Sequence, residues 1–240
     1  MQTFSMTDTG RARQSNQDSV FCEENAVGRF PNLFIVADGM GGHNAGDIAS
    51  RLGIEEAVRQ VRTSEKVTTV GILEEAVQFA NTRIYENAEK DERLNGMGTT
   101  MVAATIIGNR AYIVNVGDSR LYLLNDTFRQ ITEDHSLVEE MVRSGEIQKE
   151  EMRTHPNKNI ITRALGSNQA VKADCFEIDV TPGDVLLLCS DGLSNMLDDE
   201  TMERTIRKME DNVEKAGREL IDLANEAGGK DNISVILVRV

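Results

Sequence analysis

The sequence predicts an α+β fold in which antiparallel sheets lie under helices. Three observations carry that prediction. Short runs of β-branched and apolar residues recur along the chain, several of them separated only by turn formers. Segments of helical periodicity are grouped between these runs. No Pro- or Ser-rich linker and no repeat of fixed period interrupts the 240 residues, so one domain over 1–240 is expected.

In chain order, residues 33–37 form a strand-like run, and 48–61 follow with a less regular helical stripe. Ile72, Leu73, Ala76, Val77, Ala80 and Ile84 recur at helical spacing and define a second helix with one apolar face. Gly108 and Asn109 separate runs 99–107 and 111–116, and Gly117-Asp118-Ser119-Arg120 separates 111–116 from 121–124. This succession reads as an antiparallel meander. Ser136 and Glu139 fit the capping box of a short helix that ends at Gly145. From 144 to 166 the chain is polar and weakly periodic, flanked by glycines, and reads as an excursion from the core. A strand at 185–189 follows. Val213, Ala216, Leu220, Leu223, Ala224 and Ala227 then form a helical stripe before the stop signal Gly228-Gly229, and a strand at 233–240 ends the pattern.

Composition narrows the function classes. An apolar fraction of 40% supports a packed core and excludes a disordered or fibrous chain. Lys and Arg number 26 against 40 Asp and Glu, a net charge of −14 that repels a phosphodiester backbone and an anionic membrane leaflet alike. Neither nucleic acid nor membrane is therefore an expected partner. No run reaches the roughly 18 apolar residues of a membrane helix, and residues 1–10 lack the basic start and apolar stretch of a signal peptide, so a cytoplasmic protein is expected. Cys22, Cys175 and Cys189 are odd in number, show no CxxC spacing and read as ordinary thiols.

Three apolar runs end in one or two small residues and then an aspartate: Phe34-Ile35-Val36-Ala37-Asp38-Gly39, Ile113-Val114-Asn115-Val116-Gly117-Asp118 and Leu186-Leu187-Leu188-Cys189-Ser190-Asp191-Gly192. Asp231 precedes the last strand instead. A single Asp-Gly at a strand end is a turn former. Repeated at several strand ends of one sheet system, it delivers carboxylates to one place, where they stay ionised only beside a cation. Oxygen-only donors favour a hard metal such as Mg²⁺ or Mn²⁺, and no Cys/His spacing offers a zinc site. Asp38-Gly39-Met40-Gly41-Gly42-His43 demands tight bending or close approach to a bound group, yet it matches neither a dinucleotide fingerprint nor a P-loop. Arg11 and Arg13 precede Asn16-Gln17-Asp18 in an otherwise acidic chain; the planar fork of arginine suits two phosphate oxygens, and a solvated basic turn is the plainer reading of the spacing.

Together these residues resemble the metal-dependent PP2C-type (PPM) protein serine/threonine phosphatases, most closely their bacterial branch. The matching motifs are Gly10-x-x-Arg13-x-x-Asn16-Gln17-Asp18, Asp38 to His43 with Gly46, Gly98-Thr99-Thr100, Gly117-Asp118-Ser119-Arg120, Asp134-His135-Ser136, His155-Pro156 with Thr162-Arg163-Ala164-Leu165-Gly166, Ser190-Asp191-Gly192 and Gly229-Lys230-Asp231-Asn232. They occur in the family's order and span nearly the whole chain.

The resemblance implies a four-layer α-β-β-α sandwich, two antiparallel sheets flanked by helices, with metals in a cleft at one edge. It implies two Mn²⁺ or Mg²⁺ ions per chain. Asp38 would bridge them, Gly39 would ligate through its carbonyl, and Asp191 and Asp231 would complete the set. Asp118 aligns with the aspartate that holds a third metal in bacterial members. Asp18 would hold metal-bound water from behind, and Arg13 would grip the substrate phosphate. Two departures stand out: many relatives have Glu where this chain has Gln17, which is not assigned as a ligand, and animal relatives have His where Met40 stands. His43 matches the bacterial histidine and is the candidate general acid; His135 and His155 receive no chemical role. Residues 144–166 match the family's flap beside the active site.

The implied reaction is hydrolysis of phosphoserine and phosphothreonine in proteins by a water activated between two metals, without a covalent enzyme intermediate. The implied enzyme is a cytoplasmic monomer whose partners are a bacterial serine/threonine protein kinase and that kinase's substrates. A pseudophosphatase that binds phosphoproteins without turnover, a phosphohydrolase of small esters and a regulator of one phosphorylated anti-sigma partner are the competing readings. The presence of Asp38, Asp191 and Asp231 weighs against the first, and the absence of added sensor domains against the last.

Overall fold

The computed structural model describes residues 1–42, 45–209 and 212–240, and its layering is legible in single strands. In β3 (Leu33–Met40), Leu33, Ile35 and Ala37 enter one core while Phe34 and Val36 enter another on the opposite face. Side chains alternate across a strand, so a strand buried on both faces must read as continuous apolar sequence. β10 (Val185–Cys189) repeats this, with Leu186 and Leu188 on one side and Val185, Leu187 and Cys189 on the other.

The core shared by these two strands lies between two sheets. One sheet holds, in order, β1 (Gln2–Asp8), β11 (Ile233–Arg239), β10, β7 (Arg120–Leu124) and β8 (Phe128–Gln130). The other holds β2 (Asp18–Glu23), β3, β5 (Met101–Ile107), β6 (Arg110–Val116) and β9 (Asp174–Asp179), with the two-residue β4 (Gly98–Thr99) paired to the end of β3. All of these pairings are antiparallel.

Helices cover both outer faces. α1 (Ala45–Thr63) and α2 (Thr69–Lys90) bury Ala49, Ala57, Ile72, Leu73, Ala80 and Ile84 against the sheet of β3. Thr68 caps α2 by accepting from the Gly71 amide. α5 (Asp199–Lys208) and α6 (Val213–Glu226) bury Met202, Ile206, Leu220 and Ile221 against the other sheet. The result is the expected sandwich of two antiparallel sheets flanked by helices. α3 (Leu137–Ser144) starts at Ser136, whose hydroxyl accepts from the Glu139 amide at 3.3 Å, and ends at Gly145 as its capping signals predict. Among the described residues no helix is long and apolar enough to cross a membrane.

One expected connection is different. β5 and β6 form a hairpin, but β7 does not continue it as a meander; it pairs with β10 and β8 in the other sheet. The chain changes sheets at Gly117, whose φ of +106° lies in a region that favours glycine and whose missing Cβ would sit 2.6 Å from the Thr100 side chain. A turn signal alone does not distinguish a hairpin from such a crossover. Residues 144–166 carry a 3-10 helix at Lys149–Thr154 beyond the end of α3, and the segment is tied back by bridges between Ser136 and Ile161 and between Thr99 and Leu165.

Leu188, fully buried between the sheets, tests this layering. Leu188→Ala is expected to lower unfolding stability by about 2–5 kcal/mol in urea titration; a loss under about 1 kcal/mol would mean the intersheet core is not close-packed there.

Candidate metal centre

The site begins where β2 and β3 pair. Their antiparallel register places Asp18 opposite Asp38, so two carboxylates share one end of one hairpin. The Asp38 peptide is held from the other side by two threonines. Its carbonyl accepts from the Thr100 amide and the Thr99 hydroxyl, both at 2.9 Å, and its amide donates to Thr100 Oγ1 at 2.9 Å. The Thr100 hydroxyl also contacts Ser119 Oγ at 2.7 Å, tying the end of β3 to the crossover that carries Asp118. Gly39 is required by space: a Cβ there would lie 2.0 Å from the Gly46 carbonyl oxygen and 2.5 Å from that of Gln17.

The other sheet supplies the remaining carboxylates. Asp191 opens α4 (Asp191–Ser194) directly after β10, and its Oδ2 accepts from Asn195 at 2.9 Å. Asp231 lies two residues before β11. Its Oδ2 pairs with Arg13 Nη2 at 2.6 Å, and its Oδ1 accepts the Asn232 amide at 2.8 Å. Below Asp118, Arg120 grips Asp134 through two nitrogens and donates to the Tyr122 hydroxyl at 2.9 Å.

These carboxylates disturb one another. Burial first, then the charge of Asp18, Asp191, Asp118 and Asp231, holds Asp38 well above the ordinary aspartate range. Asp118 is raised well above that range too, by burial and then by Asp191 and Asp134. Burial and Asp231 raise Asp191. Asp18 is pushed up to about 7 by burial, against the opposing effect of hydrogen bonds from Ser190 and Ser234. Such a cluster releases its protons readily only when a cation offsets its charge.

The donor set fits a hard divalent cation. It offers only oxygens, and two of them, Asp18 Oδ1 and Asp191 Oδ1, are buried with no hydrogen-bond partner among the described residues. Asp38, Asp191, Asp231 and the Gly39 carbonyl would hold ions in the centre, with Asp118 at its margin. Among the described residues no three His, Cys, Asp or Glu side chains close tightly enough to encircle an ion by themselves. One reason is visible in the geometry: Asp231 turns an oxygen to Arg13.

Arg13 stands at the rim with half of its side chain exposed. Its loop is pinned by Asn232, which accepts from the Gln17 amide at 2.8 Å and donates to the carbonyls of Thr9 and Ser15 at 2.9 Å. The Arg11 and Ala12 amides add bonds to the Gly229 carbonyl at 2.8 and 3.0 Å. The structure thus brings Arg13, Asp18, Asp38, Gly39, Asp118, Asp191 and Asp231 to one end of the sandwich. His43 lies outside the described residues. His135 sits elsewhere as a buried tie: its Nδ1 accepts the Gly117 amide at 2.9 Å, its Nε2 faces Asp174 at 3.1 Å, and burial lowers its pKa. His155 Nδ1 accepts the Asn157 amide at 3.2 Å within the 144–166 segment.

Thr99, Thr100, Ser119, Ser190, Ser234 and Asn232 hold this arrangement, and residue type alone did not mark them. All but Ser234 fall inside the motifs that carry the family resemblance, and Ser234 follows Asp231 by three residues. A cleft of 830 Å³ opens beside Asp118 and Asp191. Lys149, Arg153 and Lys158 line it together with Asp198 and Asp199 at the start of α5, and Arg153 donates to the Leu197 carbonyl at 3.2 Å.

Known proteins resemble the chain over nearly its whole length. The family model described as protein phosphatase 2C matches residues 9–226. The serine/threonine phosphatase stp of Listeria innocua is 46% identical over 239 residues, covering 97% of this chain and 93% of that one. The crystal structure of the Mycobacterium tuberculosis serine/threonine phosphatase PstP/Ppp superposes with a TM-score of 0.90 at 36% identity, covering 100% of this chain and 98% of that one. A structure of the PstP catalytic domain in complex with two manganese ions gives a TM-score of 0.85, also at 36% identity, covering 98% of this chain and 96% of the other.

Protons and cations compete for this centre, and the sign follows from Asp18. Its folded pKa of about 7 exceeds its ordinary 3.8, so the stability that its proton contributes is complete below about pH 4 and lost as pH rises through about 7. A bound cation reverses that loss. The rise in Tm produced by Mn²⁺ over EDTA is therefore expected to be larger at about pH 7.5 than at about pH 5, by several degrees in thermal unfolding; equal rises would contradict the competition.

Proposed function

The chain belongs to the protein phosphatase 2C family and is a serine/threonine protein phosphatase, and from that premise we propose how its residues divide the reaction. The observation that carries the proposal is the convergence of Asp18, Asp38, Asp118, Asp191 and Asp231 beside Arg13 at one end of the sandwich. Asp38, the Gly39 carbonyl, Asp191 and Asp231 hold two Mn²⁺ or Mg²⁺ ions, Asp118 contributes to a third, and Asp18 supports the set from behind. Such ions supply Lewis acidity, which lowers the pKa of water and offsets charge on a phosphoryl group.

The chain's own residues do the rest. Arg13 presents its guanidinium fork to two phosphoryl oxygens, fixing the phosphorus and spreading its charge. Its contact with Asp231 keeps the fork at the rim in the absence of substrate. Asn232 keeps the Arg13 loop in register, and Thr99 with Thr100 keeps Asp38 from turning away. The proton for the departing serine or threonine oxygen comes from His43 or from water. Substrates are proteins phosphorylated on serine or threonine, supplied by a serine/threonine protein kinase, and the enzyme works as a cytoplasmic monomer.

The cleft beside Asp118 and Asp191 offers a path for the chain that flanks the phosphorylated residue. Lys149 and Lys158 form no ion pair within 4 Å among the described residues, so their charge is available to acidic flanking residues. In this reading the 144–166 segment shapes substrate choice as a flap.

Hydrolysis of p-nitrophenyl phosphate and a phosphothreonine peptide is expected with Mn²⁺ and lost with EDTA. Asp38→Ala is expected to cut kcat about 1,000-fold or more, and Arg13→Ala to raise KM about 10-fold with a smaller effect on kcat. Full Mn²⁺-dependent turnover by Asp38→Ala would sink the assignment. For the cleft, Lys149→Glu/Lys158→Glu is expected to lower kcat/KM about 10-fold on peptides with acidic flanks, and less on p-nitrophenyl phosphate. Equal changes on both substrates would remove the cleft from substrate choice.

A further inference from the structure

Asp18 is held in an asymmetric way. Its Oδ2 accepts two hydroxyls, Ser190 Oγ and Ser234 Oγ, each at 2.7 Å, whereas its Oδ1 is buried with no hydrogen-bond partner among the described residues. Both serines are fully buried. Neither hydroxyl has an alternative in water, and for Ser190 the other acceptor, the Asn232 carbonyl, is farther away at 3.5 Å, which leaves the carboxylate as its main partner.

The donors come from informative places. Ser190 directly precedes Asp191, and Ser234 follows Asp231 by three residues, so the strands that deliver two carboxylates also deliver the two hydroxyls. The serines are joined to each other: the Ser190 amide donates to the Ser234 carbonyl at 3.1 Å, and the Ser234 amide to Ser190 Oγ at 3.0 Å. A hydroxyl carries one proton. That of Ser234 is shared between Asp18 Oδ2 and Thr7 Oγ1, the latter at 2.8 Å, and Thr7 Oγ1 also accepts from the Asn16 side-chain amide at 2.7 Å.

We propose that Ser190 and Ser234 are positioning residues for the cation site: by occupying Oδ2 of Asp18 they fix its carboxylate plane and reserve Oδ1 for the hydration shell of a bound divalent cation. This rests on the cation reading given above and assigns it a device made of hydroxyls. Two donors on one oxygen leave the carboxylate no rotation that keeps both bonds. A carboxylate free to rotate would lose that orientation and bind the cation's water less well.

The test is Mn²⁺ titration calorimetry on the EDTA-stripped full chain, which reads binding without turnover. Ser190→Ala and Ser234→Ala are each expected to raise the Mn²⁺ Kd about 10-fold, while Ser234→Thr, which keeps the hydroxyl, stays within about twofold of wild type. Asp18→Ala supplies the discriminating background. If the serines act through Asp18, removing them there changes Kd by less than about twofold. Serine variants that fold and bind Mn²⁺ like wild type would overturn the proposal, as would losses of equal size in the Asp18→Ala background. Failure of wild type itself to take up Mn²⁺ would overturn the cation reading and this proposal with it.

Discussion

Mutual repulsion among Asp18, Asp38, Asp118, Asp191 and Asp231 is the constraint on which this end of the molecule depends. Buried like charges separate unless the backbone forbids it, and here it does. Asp18 and Asp38 are locked opposite each other by strand register, and Asp191 follows a strand whose neighbours on both sides are paired. The penalty is therefore carried by the fold, through the hydrophobic layers on the faces of the two sheets. A rigid sandwich is suited to this task, because intersheet packing such as that of Phe34 and Leu188 resists the small shifts that would relieve the charges.

The two sheets contribute differently. One brings Asp18 and Asp38 on a hairpin, while the other brings Asp191 and Asp231 at neighbouring ends of an antiparallel pair. Asp118 belongs to the crossover between them, and Thr100 and Ser119 couple it to Asp38. Arg13 is placed by a loop with no regular structure of its own, yet Asn232 and the Gly229 carbonyl leave that loop little freedom. A mobile phosphate ligand would gain reach and lose orientation; the structure favours orientation.

What the sequence discloses follows from burial. The runs at 33–37, 99–107, 111–116, 121–124, 185–189 and 233–240 all become interior strands, where both faces are covered and the residues must be apolar. The strands that escape notice, β1, β2, β8 and β9, are the four sheet edges. There one side meets solvent or a thin cover, so Thr, Ser, Asp and Glu dilute the apolar signal. α5 escapes for a similar reason, since Met202 and Ile206 are its only large apolar residues. In the centre, aspartates after apolar runs are conspicuous because charge at a strand end is unusual. Ser190 and Thr100 fall within the family motifs and Ser234 outside them, yet the role of all three is hidden because a hydroxyl beside a turn is commonplace, and only the third dimension shows what it donates to. The crossover at Gly117 is ambiguous for the same reason: local sequence sets a bend, and the partner beyond the bend is set by distant strands.

The pairing of β1 with β11 carries a consequence for how the protein comes into being. Thr9 and Asn232, Arg13 and Asp231, and Asp18 and Ser234 are partners separated by 223, 218 and 216 positions. No local segment can pre-assemble them, and bringing them together carries the loop-closure cost of nearly the whole chain. A chain that has not reached Asn232 lacks the side chain that pins the Arg13 loop and the Ser234 hydroxyl that holds Asp18 Oδ2. The placing of Arg13 and of the Asp18 carboxylate thus depends on positions 231–234, more than 200 residues away, and a chain not yet made that far has an incomplete centre.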